Sequence, residues 1–336
     1  MKRTSLNRDW NFVPQGSTFY SLMMGQNGET VNLPHDFTIG IQVSKDAPGG
    51  SATGFYTGGI GSYTKYLDIP AEWEGRRILV EFDGAYMNAE VNLNGNLVTV
   101  HPYGYTPFHA DLTPYVKFGE KNRLLVVVNN SAPKTGRWYT GSGLYRTVEL
   151  LAAPQVHLSP WSIFAYTERI ESGASPAAYI AVEATVENHT AAARTERVKV
   201  RVAREGSEEA AAEGELVVHA PAMGKQTGRI RLIVDNPALW DLDAPNLYTV
   251  TTDLVDGTGG IADSDNALFG IRTISVDAKN GLMLNGKTVK IKGGCVHHDN
   301  GILGAASFYD SEYRRMKLHK DNGFNGIRCA HNPPSK

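Results

Sequence analysis

Between about residues 60 and 151, apolar and polar positions alternate in short runs separated by turn residues, the period of half-buried strands. Ala89, Val91 and Leu93 alternate with Glu90 and Asn92, and Asn94-Gly95 then suits the two left-handed positions of a type I′ hairpin turn. Residues 76–82 and 123–128 read as further strands, the second so nearly continuous in apolar residues that it belongs at the centre of its sheet. Residues 145–151 close the run. This density of short strands predicts a jelly-roll sandwich.

Pro154 and Pro160 flank a change of character. From about 156 to 270 the strands lengthen and alternate more strictly. Ile180, Val182, Ala184 and Val186 face one way with Glu183 and Glu187 opposite, and Val198, Val200 and Val202 alternate with Arg197, Lys199 and Arg201. Ile230, Leu232 and Val234 repeat the scheme. About seven such strands predict an immunoglobulin-like sandwich. The acidic, alanine-rich stretch 205–215 reads as a solvated loop or strand edge.

After Phe269-Gly270-Ile271-Arg272 the pattern changes again. Residues 282–288 form a small hairpin around Asn285-Gly286, and 289–296 read as a strand ending at His297-His298-Asp299. A helix is expected from about 309 to 322, with Tyr309, Tyr313 and Met316 on its apolar side and Gly323 as its stop. A second strand over 324–328 completes one βαβ unit. One such unit cannot cover both faces of a parallel sheet, so the end of the chain reads as the opening of an incomplete TIM barrel. The expected organisation is a jelly roll over 1–154, an immunoglobulin-like sandwich over 155–271 and the start of a barrel over 272–336.

Composition narrows the function classes. At 336 residues the chain is too long for one ordinary core, and 41% hydrophobic with 20% charged residues argues against disorder. A net charge of -2 leaves no electrostatic footprint for nucleic acid or an anionic membrane. No apolar run approaches the ~20 residues of a membrane span. The basic start Met1-Lys2-Arg3 lacks the apolar stretch of a signal peptide, and Cys295 and Cys329 imply no disulfide framework, so a cytoplasmic protein is expected. Fifteen tyrosines and five tryptophans leave aromatic rings to spare for surfaces that meet polar ligands.

Several blocks then fall into a known order: Leu33-Pro34-His35-Asp36; Asn94-Gly95; Gly104-Tyr105-Thr106-Pro107-Phe108 with Asp111; and Gly141-Ser142-Gly143-Leu144-Tyr145-Arg146. Asn236-Pro237-Ala238-Leu239-Trp240, Pro245-Asn246-Leu247-Tyr248, Leu284-Asn285-Gly286-Lys287, Lys292-Gly293-Gly294 and Asn325 to Pro333 follow. With these the chain resembles the amino-terminal part of a glycoside hydrolase family 2 enzyme, and within that family the β-galactosidases most closely. In the last block the family usually has Tyr after the histidine, where this chain has Asn332.

The resemblance implies a sugar-binding jelly roll, an immunoglobulin-like sandwich and a TIM barrel that carries retaining hydrolysis of terminal β-galactosides. A glutamate nucleophile and a glutamate acid/base stand ~5–5.5 Å apart in such enzymes. Family members carry both on later barrel strands, beyond Lys336, so this chain is expected to hold no catalytic residue and to be inert towards glycosides. A β-glucuronidase- or β-mannosidase-type member is the alternative within the family, and a non-catalytic carbohydrate-binding module the alternative outside enzymes. The implied partner is a β-linked galactoside or other glycoside; neither nucleic acid nor membrane is expected, and a homo-oligomer is compatible with the family. The mechanism requires no cofactor, although a structural or activating divalent or monovalent cation is compatible with the complete enzyme.

The candidate binding residues are His297 and His331, each at a barrel strand's end and each two residues after a cysteine. A neutral imidazole offers sugar hydroxyls one donor and one acceptor. Arg328 is expected to point inward and hold a carboxylate beneath the site. Arg137-Trp138-Tyr139 could reach over the barrel mouth and stack on a sugar ring, or serve only as packing; residues 51–61, with Tyr56, form a weaker candidate loop. His35 and Asp36 read as a structural pair bonded to each other. Two Cys-x-His pairs on adjacent strands could converge on zinc, but the motif is weak and no metal site is assigned.

Overall fold

A computed structural model describes residues 1–14, 28–132 and 136–334. The protein is mainly β and divides into two compact units, one of residues 2–152 with 292–336 and the other of Met1 with 153–291.

In the first unit, one antiparallel sheet runs in the order Glu29–Val31, Trp10–Pro14, Ile60–Asp68, Lys121–Asn129, Ala89–Leu93 and Asn96–His101. A second orders Lys2–Ser5, Val148–Ala153, Arg77–Phe82 and Phe108–Asp111. One core joins them, with Trp10, Tyr63, Leu124 and Val126 from the first sheet against Ile78, Val80, Phe82 and Val148 from the second. Lys121–Asn129 is central, as its apolar run implies, and it resolves into period two: Asn122, Leu124, Val126 and Val128 are buried. Asn94 (φ 52°) and Gly95 (φ 87°) turn Leu93 onto Asn96, the left-handed pair that the hairpin requires. The closing strand starts at Val148 and not at residue 145. The carbonyls of Leu144 and Tyr145 are spent elsewhere, on the N–H groups of His35 and Ser307.

The second unit pairs Ala177–Asn188 with Val156–Leu158 and Phe164–Glu171 along one edge and Gly224–Asp235 along the other. Its second sheet runs Ala210–Ala220, Arg194–Arg204, Tyr248–Val255, Ile261–Phe269. Ile180, Val182, Ala184 and Val186 meet Val198, Val200, Val202 and Val250 in its core. The acidic stretch becomes a connecting turn and the edge strand Ala210–Ala220. A small sheet of Ile274–Asp277, Gly281–Leu284 and Lys287–Thr288 turns at Asn285 (φ 50°) and Gly286 (φ 74°).

The βαβ unit consists of Gly293–Val296, the helix Tyr309–Asp321 and Gly326–Cys329, the two strands parallel in register from Gly293↔Gly326 to Val296↔Cys329. Two expectations are corrected here. The first strand is four residues long and does not extend back to 289, because the Val289 N–H turns to the carbonyl of Leu282. Gly293 lies so close to its neighbour that a Cβ would sit 1.8 Å from the Gly326 carbonyl oxygen. Nor is the tyrosine side of the helix its packing side, since Tyr309 and Tyr313 are 80% and 60% exposed. Glu312, Arg315 and Met316 turn inward instead, because Arg315 has carbonyls to bind there. Gly323 (φ 83°) stops the helix as expected. No helix among the described residues is long and apolar enough to cross a membrane.

Candidate functional site

Parallel pairing brings the carboxyl ends of Gly293–Val296 and Gly326–Cys329 side by side, so the residues that leave them are neighbours. The imidazoles of His297 and His331 stand 6.0 Å apart between centroids at 85°. Trp138, from the loop after Lys121–Asn129, joins both. Its indole stacks on His297 (5.4 Å, 21°) and meets His331 edge-on (5.6 Å, 66°). Three of the residues expected to bind sugar are therefore together. His331 is exposed, while His297 and Trp138 are half-buried.

The indole is held from behind. Its N–H donates to the Tyr105 hydroxyl at 3.0 Å, and Tyr105 meets His298 edge-on at 5.1 Å. His298, buried, reaches the Thr140 carbonyl through Nε2 at 3.0 Å. A carbonyl only accepts, so the proton sits on Nε2 and Nδ1 keeps a lone pair. Burial, against the helping carbonyl, pushes the His298 pKa below the ordinary histidine range, so this ring is neutral near pH 7. Burial likewise raises the Tyr105 and Tyr139 phenols, the latter further because it faces the Asp36 carboxylate. His297 Nδ1, His298 Nδ1 and Asn332 Oδ1 are buried without a hydrogen-bond partner among the described residues, a state that costs stability until some partner arrives.

Two arginines fix the backbone of this region. Arg146, fully enclosed, donates to the carbonyls of Tyr105 (2.9 Å), Asp83 (3.3 Å) and Pro333 (3.0 Å). Arg315 on the helix donates to the carbonyls of His297 (2.9 Å) and Asp299 (2.8 Å) and pairs with Glu312. A cavity of about 160 Å³ is lined by Tyr145, Arg146, His297, His298, Glu312, Arg315, Cys329 and Asn332, among others. Glu312 is its one lining carboxylate among the described residues, and that group is already bonded to Asn300, Ser307 and Arg315. The pair of opposed carboxylates that retaining hydrolysis needs is not formed among the residues lining this cavity.

Other expected site residues lie elsewhere. Arg137 is exposed. Tyr139 turns away from Trp138, donating its hydroxyl to Asp36 Oδ2 at 2.6 Å and packing against Tyr56 of the loop 51–61 at 5.4 Å. Arg328 is exposed, lies 3.7 Å from Cys295 Sγ and forms no ion pair among the described residues. Its strand neighbours Ile327 and Cys329 line the cavity together with Arg315 and Met316 of the helix, so alternation sets Arg328 on the face away from the helix. Cys295 and Cys329 are free and exposed, and the two Cys-x-His pairs do not assemble a metal-ligand group among the described residues.

His35 and Asp36 are structural but not bonded to each other. His35 Nδ1 meets the Tyr63 hydroxyl at 2.9 Å. The Asp36 carboxylate, 2% exposed, accepts from Thr38 N (2.9 Å), Ser142 N (2.9 Å), Ala305 N (2.8 Å) and Tyr139. It thereby ties the sandwich to the loop that follows His298. Reasoning from sequence missed the parts played by Asp36, Arg146, Arg315 and His298. Only the adjacent His297-His298 pair carried a signal, since two successive strand-end residues cannot both face the same way.

Residues 33–154 match the profile of the sugar binding domain of glycosyl hydrolases family 2, and residues 156–272 match a second profile of glycosyl hydrolases family 2. The chain is 36% identical to a beta-galactosidase of Bacteroides ovatus over 99% of its own length and 39% of the relative's. It is 30% identical to a beta-glucuronidase of Bacteroides fragilis over 98% of this chain and 46% of that one. A crystal structure of a glycosyl hydrolase family 2 member from Bacteroides cellulosilyticus superposes with a TM-score of 0.93 at 36% identity, covering all of this chain and 44% of that one. The chain thus spans less than half the length of these relatives.

Proposed function

The chain belongs to glycosyl hydrolases family 2, and on that premise we propose that it forms the sugar-binding and supporting part of a retaining β-galactosidase. In this reading the βαβ unit opens a catalytic TIM barrel whose later strands bring the glutamate nucleophile and the glutamate acid/base. The observation that carries the reading is the convergence of Trp138, His297 and His331 at the carboxyl ends of two parallel strands, the end of such a sheet at which barrel enzymes bind substrate. Trp138 holds the imidazole of His297 in place, and the two rings turn nitrogen atoms towards sugar hydroxyls. His331, the exposed member, is the one that reaches a ligand first.

The β-galactosidase relative supports galactose as the sugar, and the β-glucuronidase relative supports a glucuronide as the second reading. Two measurements test the proposal. The first compares hydrolysis of aryl β-galactoside and aryl β-glucuronide by the enzyme encoded by the whole reading frame, in wild type and in His331→Ala. A loss of kcat/KM of about 1.4 kcal/mol or more, tenfold, is expected for the variant, with the galactoside the better substrate. Unchanged kcat/KM in His331→Ala removes the site, and preference for the glucuronide moves the assignment to that sugar. The second is turnover of either substrate by residues 1–336 alone, for which none is expected.

A further inference from the structure

Away from that site, the second unit gathers three ligand-type side chains on one sheet face. His157 on Val156–Leu158 stands directly opposite Glu187 on Ala177–Asn188. His189, just past the end of Ala177–Asn188, meets the Glu187 carboxylate through Nε2. Oε2 of Glu187 lies 3.2 Å from Nε2 of His189 and 3.8 Å from Nε2 of His157, and ligand atoms of all three fall within 4.8 Å of one another. The two imidazole planes are 7° from parallel.

A cation here takes the place of one proton: Nε2 of His189 donates to Oε2 of Glu187 at 3.2 Å, and that ring's proton moves to Nδ1 when the cation binds. Nδ1 of His157 lies 2.9 Å from the Pro154 carbonyl, which only accepts, so the ring proton is on Nδ1 and the lone pair on Nε2. That lone pair faces a carboxylate oxygen beyond hydrogen-bond reach, and the His157 side chain is 1% exposed. Glu187 is braced from the far side by the Ser159 hydroxyl, which donates to Oε1 at 2.5 Å and leaves Oε2 to the imidazoles. An imidazole anchored through its other nitrogen to a backbone carbonyl, beside a carboxylate anchored through its other oxygen, is how metal ligands are oriented.

We propose that Nε2 of His157, Oε2 of Glu187 and Nε2 of His189 bind a divalent transition cation of the zinc class, with solvent as fourth ligand. Metal–ligand bonds of about 2.0–2.2 Å in a tetrahedron place ligand atoms roughly 3.3–3.6 Å apart, against 3.2 Å and 3.8 Å from Glu187 Oε2 to the two imidazole nitrogens. Nitrogen and oxygen donors select zinc or its neighbours over calcium or magnesium. The cation cross-links Val156–Leu158 to the end of Ala177–Asn188 and so fastens the first strand of the second sandwich.

The test uses the chain carrying Cys295→Ser and Cys329→Ser, because exposed thiols bind zinc by themselves. Calorimetric titration with zinc chloride is expected to give one ion per chain, and cobalt chloride to give the visible absorption bands of a tetrahedral site. His189→Ala and Glu187→Gln, both at partly exposed positions whose loss leaves the core intact, are expected to weaken binding at least about tenfold and to abolish the zinc-dependent rise in Tm. Absence of saturable stoichiometric binding overturns the proposal. So does equal affinity in the two variants, which would place zinc elsewhere.

Discussion

Removing the Asp36 carboxylate tests the hydrogen-bond economy that holds the candidate site to its scaffold. In Asp36→Ala, the peptide N–H groups of Thr38, Ser142 and Ala305 and the phenol of Tyr139 lose their acceptor together. At about 1–3 kcal/mol for each buried donor left unsatisfied, the unrelaxed sum is about 4–12 kcal/mol. Release of the buried charge's own desolvation cost and water entering the space pull the outcome to the lower end, about 4 kcal/mol. Asp36→Asn separates the contributions. Its oxygen still accepts from Thr38 and Ser142, which share Oδ1, and Tyr139 can reverse its hydroxyl to accept from the amide. Only Ala305 meets a donor where it had an acceptor, so about 2 kcal/mol is expected. Urea unfolding with hydrogen exchange at the Ala305 and Ser142 amides measures both variants. The reasoning is refuted if Asp36→Ala costs less than about 1 kcal/mol, or if Asn costs as much as Ala.

Other consequences follow from the same contacts. Gly141 (φ 65°) would carry a Cβ 2.5 Å from Ala305 Cβ and 2.6 Å from Asp36 Oδ2, so Gly141→Ala is expected to cost about 3 kcal/mol, whereas Gly286→Ala, at φ 74° but in open space, costs only about 1 kcal/mol in the same unfolding assay. Arg315→Met is expected to speed hydrogen exchange at residues 297–300 and to lower stability by about 2 kcal/mol, with exchange in Ala177–Asn188 unaltered, since Arg315 binds the carbonyls of His297 and Asp299. Acid should destabilise the fold through His298: burial holds its folded pKa below the ordinary 6.5, so the unfolded chain takes up the proton first. Stability is then full above about pH 6.5 and falls progressively below it, until the folded-state pKa is passed. Replacing His298 with Gln should flatten that part of the stability–pH curve, and an unchanged slope in urea titrations between pH 7.5 and 5 would count against it.

Local pattern determined much of this protein. Period-two alternation specified the strands of both sandwiches, because a strand with one face in a core must place apolar side chains at every second residue. Asn94-Gly95 and Asn285-Gly286 specified their hairpins, because few other pairs tolerate two positive φ values. The motifs that mark the family were equally local, and so was the expectation that His297 and His331 stand at strand ends. Which side chains share a space was decided by tertiary structure alone. Trp138 and Tyr139 are adjacent in the chain, yet one stacks on His297 and the other bonds Asp36. The tyrosines of the helix were misjudged for a related reason: residue type says what a side chain can do, while orientation depends on partners distant in sequence. His157, Glu187 and His189 make the point most plainly. Glu187 read as an outward-facing strand residue, and only the pairing of Val156–Leu158 against Ala177–Asn188 set an imidazole opposite it.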